Sequence, residues 1–224
     1  MAYIKAETYG KDSSAVLYTS DGGEKLIRQG GSRAWRNNNP GNIRYTDFSR
    51  RNGAIGSAGG FAAFPDYQTG RNAIPLLLQG SKYINLSISR AVSRYAPPKE
   101  NDTERYKALI ARITGLDISR KISDLDAAEL DRVVDAIQQI EGFAVGVEKP
   151  VRKVIGALTD GSRLTAFLIE GESSYISLDA ALALASCGEI DAVVVRPSIG
   201  RAYLRAHADN VEGNNFGAIA EDES

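Results

Sequence analysis

The residues with the clearest chemical character lie in one asparagine-rich stretch, Trp35–Arg44, whose sequence is WRNNNPGNIR. Proline fixes φ, while glycine and asparagine tolerate positive φ, so this composition predicts a sharply shaped turn. Asparagine amides donate and accept hydrogen bonds, which suits the hydroxyl and N-acetyl groups of amino sugars. We therefore take Asn38, Asn39 and Asn42 as candidate sugar-binding residues. The alternative is a turn whose asparagine side chains bond only to the backbone.

Glu141 is the candidate acid. It ends a strongly periodic helix that we predict to begin at a Ser123 cap, and Gly142 follows it as a suitable C-terminal cap. The C-terminal end of a helix carries partial negative charge, which disfavours an ionised carboxylate. A carboxyl group that stays protonated near neutral pH is what acid catalysis at a glycosidic bond requires. The alternative is a solvated surface glutamate.

A second carboxylate could come from the segment Tyr95–Thr103, sequence YAPPKENDT, which holds Glu100. A base at Glu100 would complete an inverting mechanism, whereas a mechanism assisted by the substrate's own N-acetyl group would not need one. Tyr67 and Tyr95 are further candidates for positioning a sugar. The alternative for this segment is a simple connection between helices that ends in a good cap.

Periodicity and turn signals predict an α+β fold: an N-terminal β-hairpin, a mainly helical domain, and a small α/β domain at the C-terminus. We place the domains at 1–146 and 147–224, joined by a linker at Val145–Pro150, and expect a frayed tail at Ala218–Ser224. The predicted helices begin near Asp66, Leu86 and Thr103, with a further one near Ser177 in the second domain. Predicted hairpins flank Asp21-Gly22 and Asp160-Gly161.

The composition excludes several classes of protein. Of 224 residues, 43% are hydrophobic and 25% are charged, which argues against a disordered chain, a collagen or a coiled-coil rod. No apolar run approaches the ~18 residues of a membrane helix, so we expect no membrane partner. One histidine and one cysteine disfavour a metal site, and we expect no cofactor and no metal. We expect Cys187, among Ala and Leu, to pack in a core.

Charge is unevenly distributed along the chain. Residues 25–99 contain twelve Lys and Arg but only two acidic residues, whereas residues 151–224 contain six basic and eleven acidic residues. The basic stretch favours an anionic partner, such as a cell-wall polymer or a nucleic acid. A nucleic-acid partner is the weaker alternative, because the chain has no recognisable nucleic-acid-binding motif.

Several stretches together resemble the lysozyme-like proteins of phage virions and of bacterial type VI secretion effectors. The stretches are Trp35–Arg44, Gly53–Gly56, Gly60–Gly70, Arg94–Thr103 and Ile137–Gly142. The resemblance covers about residues 28–146 and implies cleavage of the peptidoglycan glycan strand by a muramidase or glucosaminidase. The turn Asn42–Arg44 is similar to one in flagellar-type glucosaminidases, and the helix that ends at Glu141 is similar to the helix bearing the catalytic glutamate of phage lysozymes.

Residues 154–216 resemble a separate small bacterial domain of unknown function, with a hairpin, a Ser-x-x-x-Ala helix from Ser177, and Tyr203-Leu-Arg205. We expect an accessory or interaction module. Partners that fit the resemblance are peptidoglycan, a phage tail or secretion-apparatus protein, and an immunity protein.

The start of the chain lacks a basic region followed by an apolar core, so we expect synthesis in the cytoplasm without a signal peptide. Delivery to the periplasm, or carriage in a virion, would then depend on a phage or a secretion machine. The alternative to an enzyme is a non-catalytic virion or secretion-apparatus protein that binds cell-wall polymer or a protein partner.

Overall fold

A computed structural model describes residues 2–9, 14–161, 163–206 and 215–222, and within them the predicted α+β fold is confirmed. The strands are β1 Tyr3–Tyr9, β2 Ala15–Ser20, β3 Lys25–Gln29, β4 Gly56–Ala58, β5 Phe61–Ala63, β6 Val147–Val151, β7 Val154–Asp160, β8 Arg163–Ile169, β9 Ile176–Ser177, β10 Val193–Val195, β11 Tyr203–Arg205 and β12 Ala220–Asp222. The α-helices are α1 Arg33–Arg36, α2 Asp47–Arg51, α3 Tyr67–Leu78, α4 Ile88–Tyr95, α5 Thr103–Thr114, α6 Ala127–Glu141 and α7 Leu178–Ser186. No helix in these described ranges is long and apolar enough to cross a membrane.

The chain forms two compact units. The first is built from residues 1–22 and 28–147, and the second from residues 23–27 and 148–224. The division after Val147 lies one residue from the boundary that we placed after residue 146, while the short segment 23–27 groups with the second unit.

In the first unit, four strands lie in the order β5-β4-β1-β2. Strands β1 and β2 are antiparallel with Ala6 opposite Tyr18, β1 and β4 are parallel, and β4 and β5 form a tight antiparallel pair. Tyr18 is fully buried, and its hydroxyl donates a 2.8 Å hydrogen bond to the Arg36 carbonyl at the end of α1. The sheet therefore anchors the chain just before the asparagine-rich turn.

The helices α3 to α6 share one hydrophobic core with the end of β5. Its fully buried side chains include Phe64 after β5, Ile74 on α3, Ile110 on α5 and Ile137 on α6. Burying an aliphatic or aromatic side chain of this size stabilises a fold by roughly 1.5–3 kcal/mol. This core fixes the directions of α5 and α6, and α6 carries Glu141 at its last position.

Helix α6 begins later than the sequence analysis predicted. Ser123 lies in a short 3₁₀ turn, Ile122–Asp124, and the N-cap of α6 is Asp126. The Asp126 carboxylate accepts from the Glu129 N–H at 2.8 Å, and Glu129 accepts from the Asp126 N–H at 3.1 Å. This reciprocal capping box satisfies two otherwise unpaired donors and fixes the start of α6 at Asp126. The predicted C-terminus is confirmed, because the chain leaves the helix at Gly142 with φ of +74°.

Helices α3 and α7 begin where the sequence predicted, near Asp66 and at Ser177. Helix α3 continues through Pro75, although a proline inside a helix lacks the N–H that would donate to the preceding turn. Buried Ile74 and Leu78 flank the proline, and their packing holds the helix despite the missing N–H. In the second unit, Ser177 caps α7 by accepting from the Ala180 N–H, as predicted.

The second unit contains a four-stranded sheet in the order β12-β7-β8-β9 and a separate β10–β11 pair. Its core is built around Phe167, Ile169 and Ala181, all fully buried. The hairpin β7–β8 confirms the turn predicted at Asp160-Gly161.

Three sequence predictions about the second half of the chain are wrong. Residues 147–150 of the expected linker belong to β6, and residues 220–222 of the expected frayed tail form β12, which pairs parallel to β7. Neither segment has a strong hydrophobic alternation, so their strand structure depends on pairing with distant residues. Cys187 is exposed and not in the core, because α7 ends there and its side chain falls on the solvent side of the C-cap.

Candidate active site

The asparagine-rich turn begins directly after α1. Ser32 caps this short helix by accepting from the Trp35 N–H, and the same hydroxyl accepts from the Ala144 N–H at 3.1 Å. The Ser32 N–H in turn donates to the Ala144 carbonyl at 2.8 Å. The chain that follows α6 is thereby fixed against the start of α1, and this contact brings the end of α6 to the turn.

The first three asparagines hold the turn in shape. The side chain of Asn39 donates from Nδ2 to the Ile43 and Ala62 carbonyls, both at 2.9 Å, and its Oδ1 accepts from the Ile43 N–H. Asn37 donates to the Ala58 and Ala62 carbonyls. Asn38, with φ of +49°, donates to the Phe64 carbonyl and accepts from Arg28.

These three side chains are buried: Asn37, Asn38 and Asn39 are 1%, 4% and 0% exposed. The role predicted for Asn38 and Asn39, contact with a sugar, therefore does not fit their placement, since neither amide faces solvent. Their bonds to the turn and to the β4–β5 pair match the alternative interpretation, in which the asparagines satisfy the backbone.

Asn42 behaves differently, because its side chain reaches across to α6. Its Nδ2 donates to Glu141 Oε2 at 2.8 Å, so the turn and this acid are in direct contact. Its Oδ1 accepts from Arg33 Nε at 3.3 Å. A guanidinium can only donate, so Arg33 fixes the orientation of the amide and leaves its N–H group for Glu141. Asn42 adopts φ of +45°, a conformation that asparagine tolerates better than most residues.

The second oxygen of Glu141 is held by a buried phenol. Tyr106, on α5, donates from its hydroxyl to Glu141 Oε1 at 3.1 Å. Burial raises the pKa of Tyr106 far above its ordinary value, and Tyr95 and the negative charge of Glu141 act in the same direction. Tyr106 therefore stays protonated and serves Glu141 as a hydroxyl throughout the physiological range.

Tyr95 closes the same corner of the site. Its hydroxyl donates to the Gly41 carbonyl, and its ring lies 6.5 Å from that of Tyr106, centroid to centroid. Burial raises the pKa of Tyr95 well above its usual value, with the charge of Glu141 adding to the effect. A Cβ at Gly41 would lie 2.6 Å from the Tyr95 oxygen, so only glycine permits this approach.

Asn42, Tyr95, Glu100 and Glu141 line one cleft of about 1190 Å³ in the first unit. Glu100 carries a 2.5 Å ion pair to Arg44, and both side chains are about half exposed. The structure thus places both candidate carboxylates in one cleft, with Glu141 held by neutral donors and Glu100 held by a cation.

Tyr67 does not line this cleft. Its hydroxyl donates to Gln138 at 2.6 Å, and its ring meets Phe143 edge to face at 5.1 Å. Both partners flank Glu141 in the chain, so Tyr67 supports the end of α6 from the first turn of α3.

Sequence reasoning missed three residues of the site: Arg33, Phe61 and the hydroxyl of Tyr106. Arg33 and Arg44 both stack on Phe61, at 3.7 and 4.2 Å from the ring centroid. Tyr106 lies on the buried face of α5, where a tyrosine is ordinary in a core. The sequence offers no signal that could have linked these residues to Glu141, since each contact depends on how separate elements pack.

The described residues contain no group of three or more His, Cys, Asp or Glu side chains that could hold a metal ion.

Comparison with known proteins found no match: no family model, no curated protein and no solved structure matches the chain.

Proposed function

We propose that this protein cleaves the glycan strand of peptidoglycan, with Glu141 as its general acid. The observation that carries the proposal is the hydrogen bond from Asn42 to Glu141 inside a large cleft. It joins the two features for which the sequence suggested sugar chemistry. The resemblance of residues 28–146 to lysozyme-like proteins is the second support.

The bonds around Glu141 suit a carboxyl group that gains and loses a proton. The Asn42 amide can only donate to Oε2, because Arg33 occupies its carbonyl oxygen. The Tyr106 hydroxyl can both donate and accept, so by rotating it can accept from a protonated Oε1. Glu141 can thus carry a proton on the Tyr106 side without breaking its bond to Asn42.

In this mechanism Glu141 protonates the glycosidic oxygen as the bond to the sugar breaks, a step that contributes typically about 10²–10⁴-fold. Glu100 is the candidate base for an attacking water in an inverting reaction. In that reaction Glu100 would accept a proton from the water while its carboxylate stays next to Arg44. A substrate-assisted reaction would use Glu141 alone.

The test is to measure new reducing ends from purified sacculi and to identify the released muropeptides by mass spectrometry. We expect wild-type protein to release them and Glu141→Gln to lose at least 10²-fold of that activity. Gln keeps the shape and can still accept from Asn42, so the fold should persist. Glu104→Gln is the matched control, since Glu104 is exposed on α5 and forms an ion pair with Lys107 away from the cleft lining. Full activity of Glu141→Gln would contradict the assignment.

A non-catalytic protein that binds cell-wall polymer is the second candidate. The observation in its favour is that Glu100, the candidate base, is already neutralised by Arg44. Binding to sacculi without new reducing ends would support this candidate and exclude the hydrolase.

A further inference from the structure

The cleft around Glu141 has an excess of positive charge. Its lining includes the cations Arg33, Arg44, Arg51, Lys82 and Arg94 and the acids Asp47, Glu100 and Glu141. Two of the acids are already paired, Glu100 with Arg44 and Asp47 with Arg50. Among the described residues, Arg33, Arg51, Lys82 and Arg94 have no partner in an ion pair.

Aromatic rings hold three of these guanidinium groups in place. Arg33 and Arg44 lie on Phe61, and Arg94 lies 5.8 Å from the centroid of Tyr83. A guanidinium that stacks on a ring presents its N–H groups at its edge, and that edge matches a carboxylate. Arg33 donates to Asn42, Arg44 to Glu100 and Arg94 to the Lys82 carbonyl. Since a guanidinium has five N–H donors, each keeps further donors for a ligand. Such groups are ordered before a ligand binds, so less conformational entropy is lost on binding.

The positive charges are also close enough to act on one another. Partial burial lowers the pKa of Arg33, and the charges of Arg44 and Arg36 act in the same direction, against the opposing effect of Glu141. A bound anion at this place would relieve the repulsion.

We propose, building on the proposed function, that the cleft binds carboxylate groups carried by the glycan strand and therefore selects muramic-acid-containing strands over neutral N-acetylglucosamine polymers. The carboxylates are either those of the lactyl ether on muramic acid or those of the attached peptides. Both are sparse along the strand, so they can reach the cations without facing Glu141 and Asp47. A nucleic acid carries one charge per ~1.7 Å of duplex and would bring phosphates against those acids as well.

Binding can be measured separately from cleavage with the full-length Glu141→Gln protein and three soluble ligands. These are strands with peptides, strands stripped of peptides by an amidase, and neutral chitin oligomers. We expect the first to bind at least tenfold more tightly than the chitin oligomers. The amidase hydrolyses the amide bond between the lactyl group and the peptide, so a lactyl carboxylate that was an amide in the intact strand becomes free in the stripped one. Tight binding of the first ligand alone therefore assigns the peptide carboxylates, and tighter binding of the stripped strands assigns the lactyl carboxylate.

The dependence of binding on the cleft's positive charge is tested by adding Lys82→Gln or Arg94→Gln to the Glu141→Gln protein. Each should weaken binding of carboxylate-bearing strands by about tenfold and leave binding of chitin oligomers less affected. Arg90→Gln is the matched control, because Arg90 is exposed on the same helix as Arg94 and does not line the cleft. Thermal unfolding confirms that each variant is folded.

Two results would overturn the inference: equal affinity for chitin oligomers and strands, or displacement of the strand by single-stranded DNA at ~0.2 M salt. Selective, charge-dependent binding without any release of reducing ends would uphold the carboxylate site and reject the hydrolase. Release of reducing ends with equal affinity for all three ligands would uphold the hydrolase and reject the carboxylate site.

Discussion

The Asn42 amide is the contact on which the candidate site most depends, and its removal gives the sharpest test. It makes two bonds, to Glu141 Oε2 at 2.8 Å and to Arg33 Nε at 3.3 Å. Substitution by Ala or Gly removes both. A hydrogen bond to a charged group contributes about 1.5–3 kcal/mol, and the cleft admits water to replace it, so we expect about 1.5 kcal/mol of lost stabilisation. That corresponds to about tenfold in any step that requires Glu141 in this position.

The two substitutions separate the side chain from the backbone. Asn42 has φ of +45°, a conformation that costs alanine about 1–2 kcal/mol and glycine almost nothing. Asn42→Gly and Asn42→Ala should therefore lose similar activity on sacculi, about tenfold or more in kcat. In urea unfolding, Asn42→Ala should be less stable than Asn42→Gly by about 1 kcal/mol.

The control is Asn72→Ala, on the exposed side of α3, where the side chain only accepts from Gln68. It should keep wild-type kcat. If Asn42→Gly also keeps wild-type kcat while Glu141→Gln does not, the Asn42 bond has no part in positioning the acid, and the reasoning from this geometry fails.

Three further perturbations probe the surroundings of the site. Tyr106→Phe removes the hydroxyl that can accept a proton from Glu141, and we expect about a tenfold loss of kcat together with a changed pH–rate profile, whereas an unchanged profile would show that Tyr106 is only structural. Gly70→Ala places a Cβ 1.8 Å from the Asn38 carbonyl oxygen, so urea unfolding should show a loss of stability of about 3 kcal/mol, the upper end of what overpacking costs. The hydrogen bond from Arg120 lowers the pKa of Glu129 to about 2 from its ordinary 4.5. Because the folded pKa is depressed, this pair stabilises the protein above pH 4.5 and its contribution is lost as the pH falls towards 2, so the Tm difference between wild type and Arg120→Gln should be present at pH 6 and vanish near pH 2.

Local chemistry predicted most helices well, because their signals lie within a few residues of each other. Asp66, Asp102 and Ser177 each cap the helix that follows them, and Gly142 ends α6. The start of α6 was misplaced because two polar residues, Ser123 and Asp126, both offer cap chemistry. Only the reciprocal bond with Glu129 decides between them.

The site was only partly predictable, because its contacts join residues that are far apart in the sequence. The sequence shows that Asn42 and Glu141 are chemically suitable, but they are 99 positions apart and their contact depends on how α6 returns to α1. The burial of Asn38 and Asn39 depends on the β4–β5 pair, whose three-residue strands carry little signal of their own. Arg33 gives no sequence signal, since its role requires Asn42 and Phe61 to be placed first.

The asparagine-rich turn therefore divides into residues that set its shape and one that faces the cleft. Asn37, Asn38 and Asn39 bond to buried backbone groups, and removing any of them takes a hydrogen bond from such a group in a dry environment, which costs about 1–3 kcal/mol. Such losses reduce stability and activity together, so they cannot identify a chemical role. Of the four asparagines, Asn42 has the amide that water in the cleft can replace. Asn42→Gly also avoids the backbone strain at this position, so its stability should change little. A loss of kcat in Asn42→Gly without a loss of stability would therefore show that Asn42 positions a catalytic acid and does more than shape the turn.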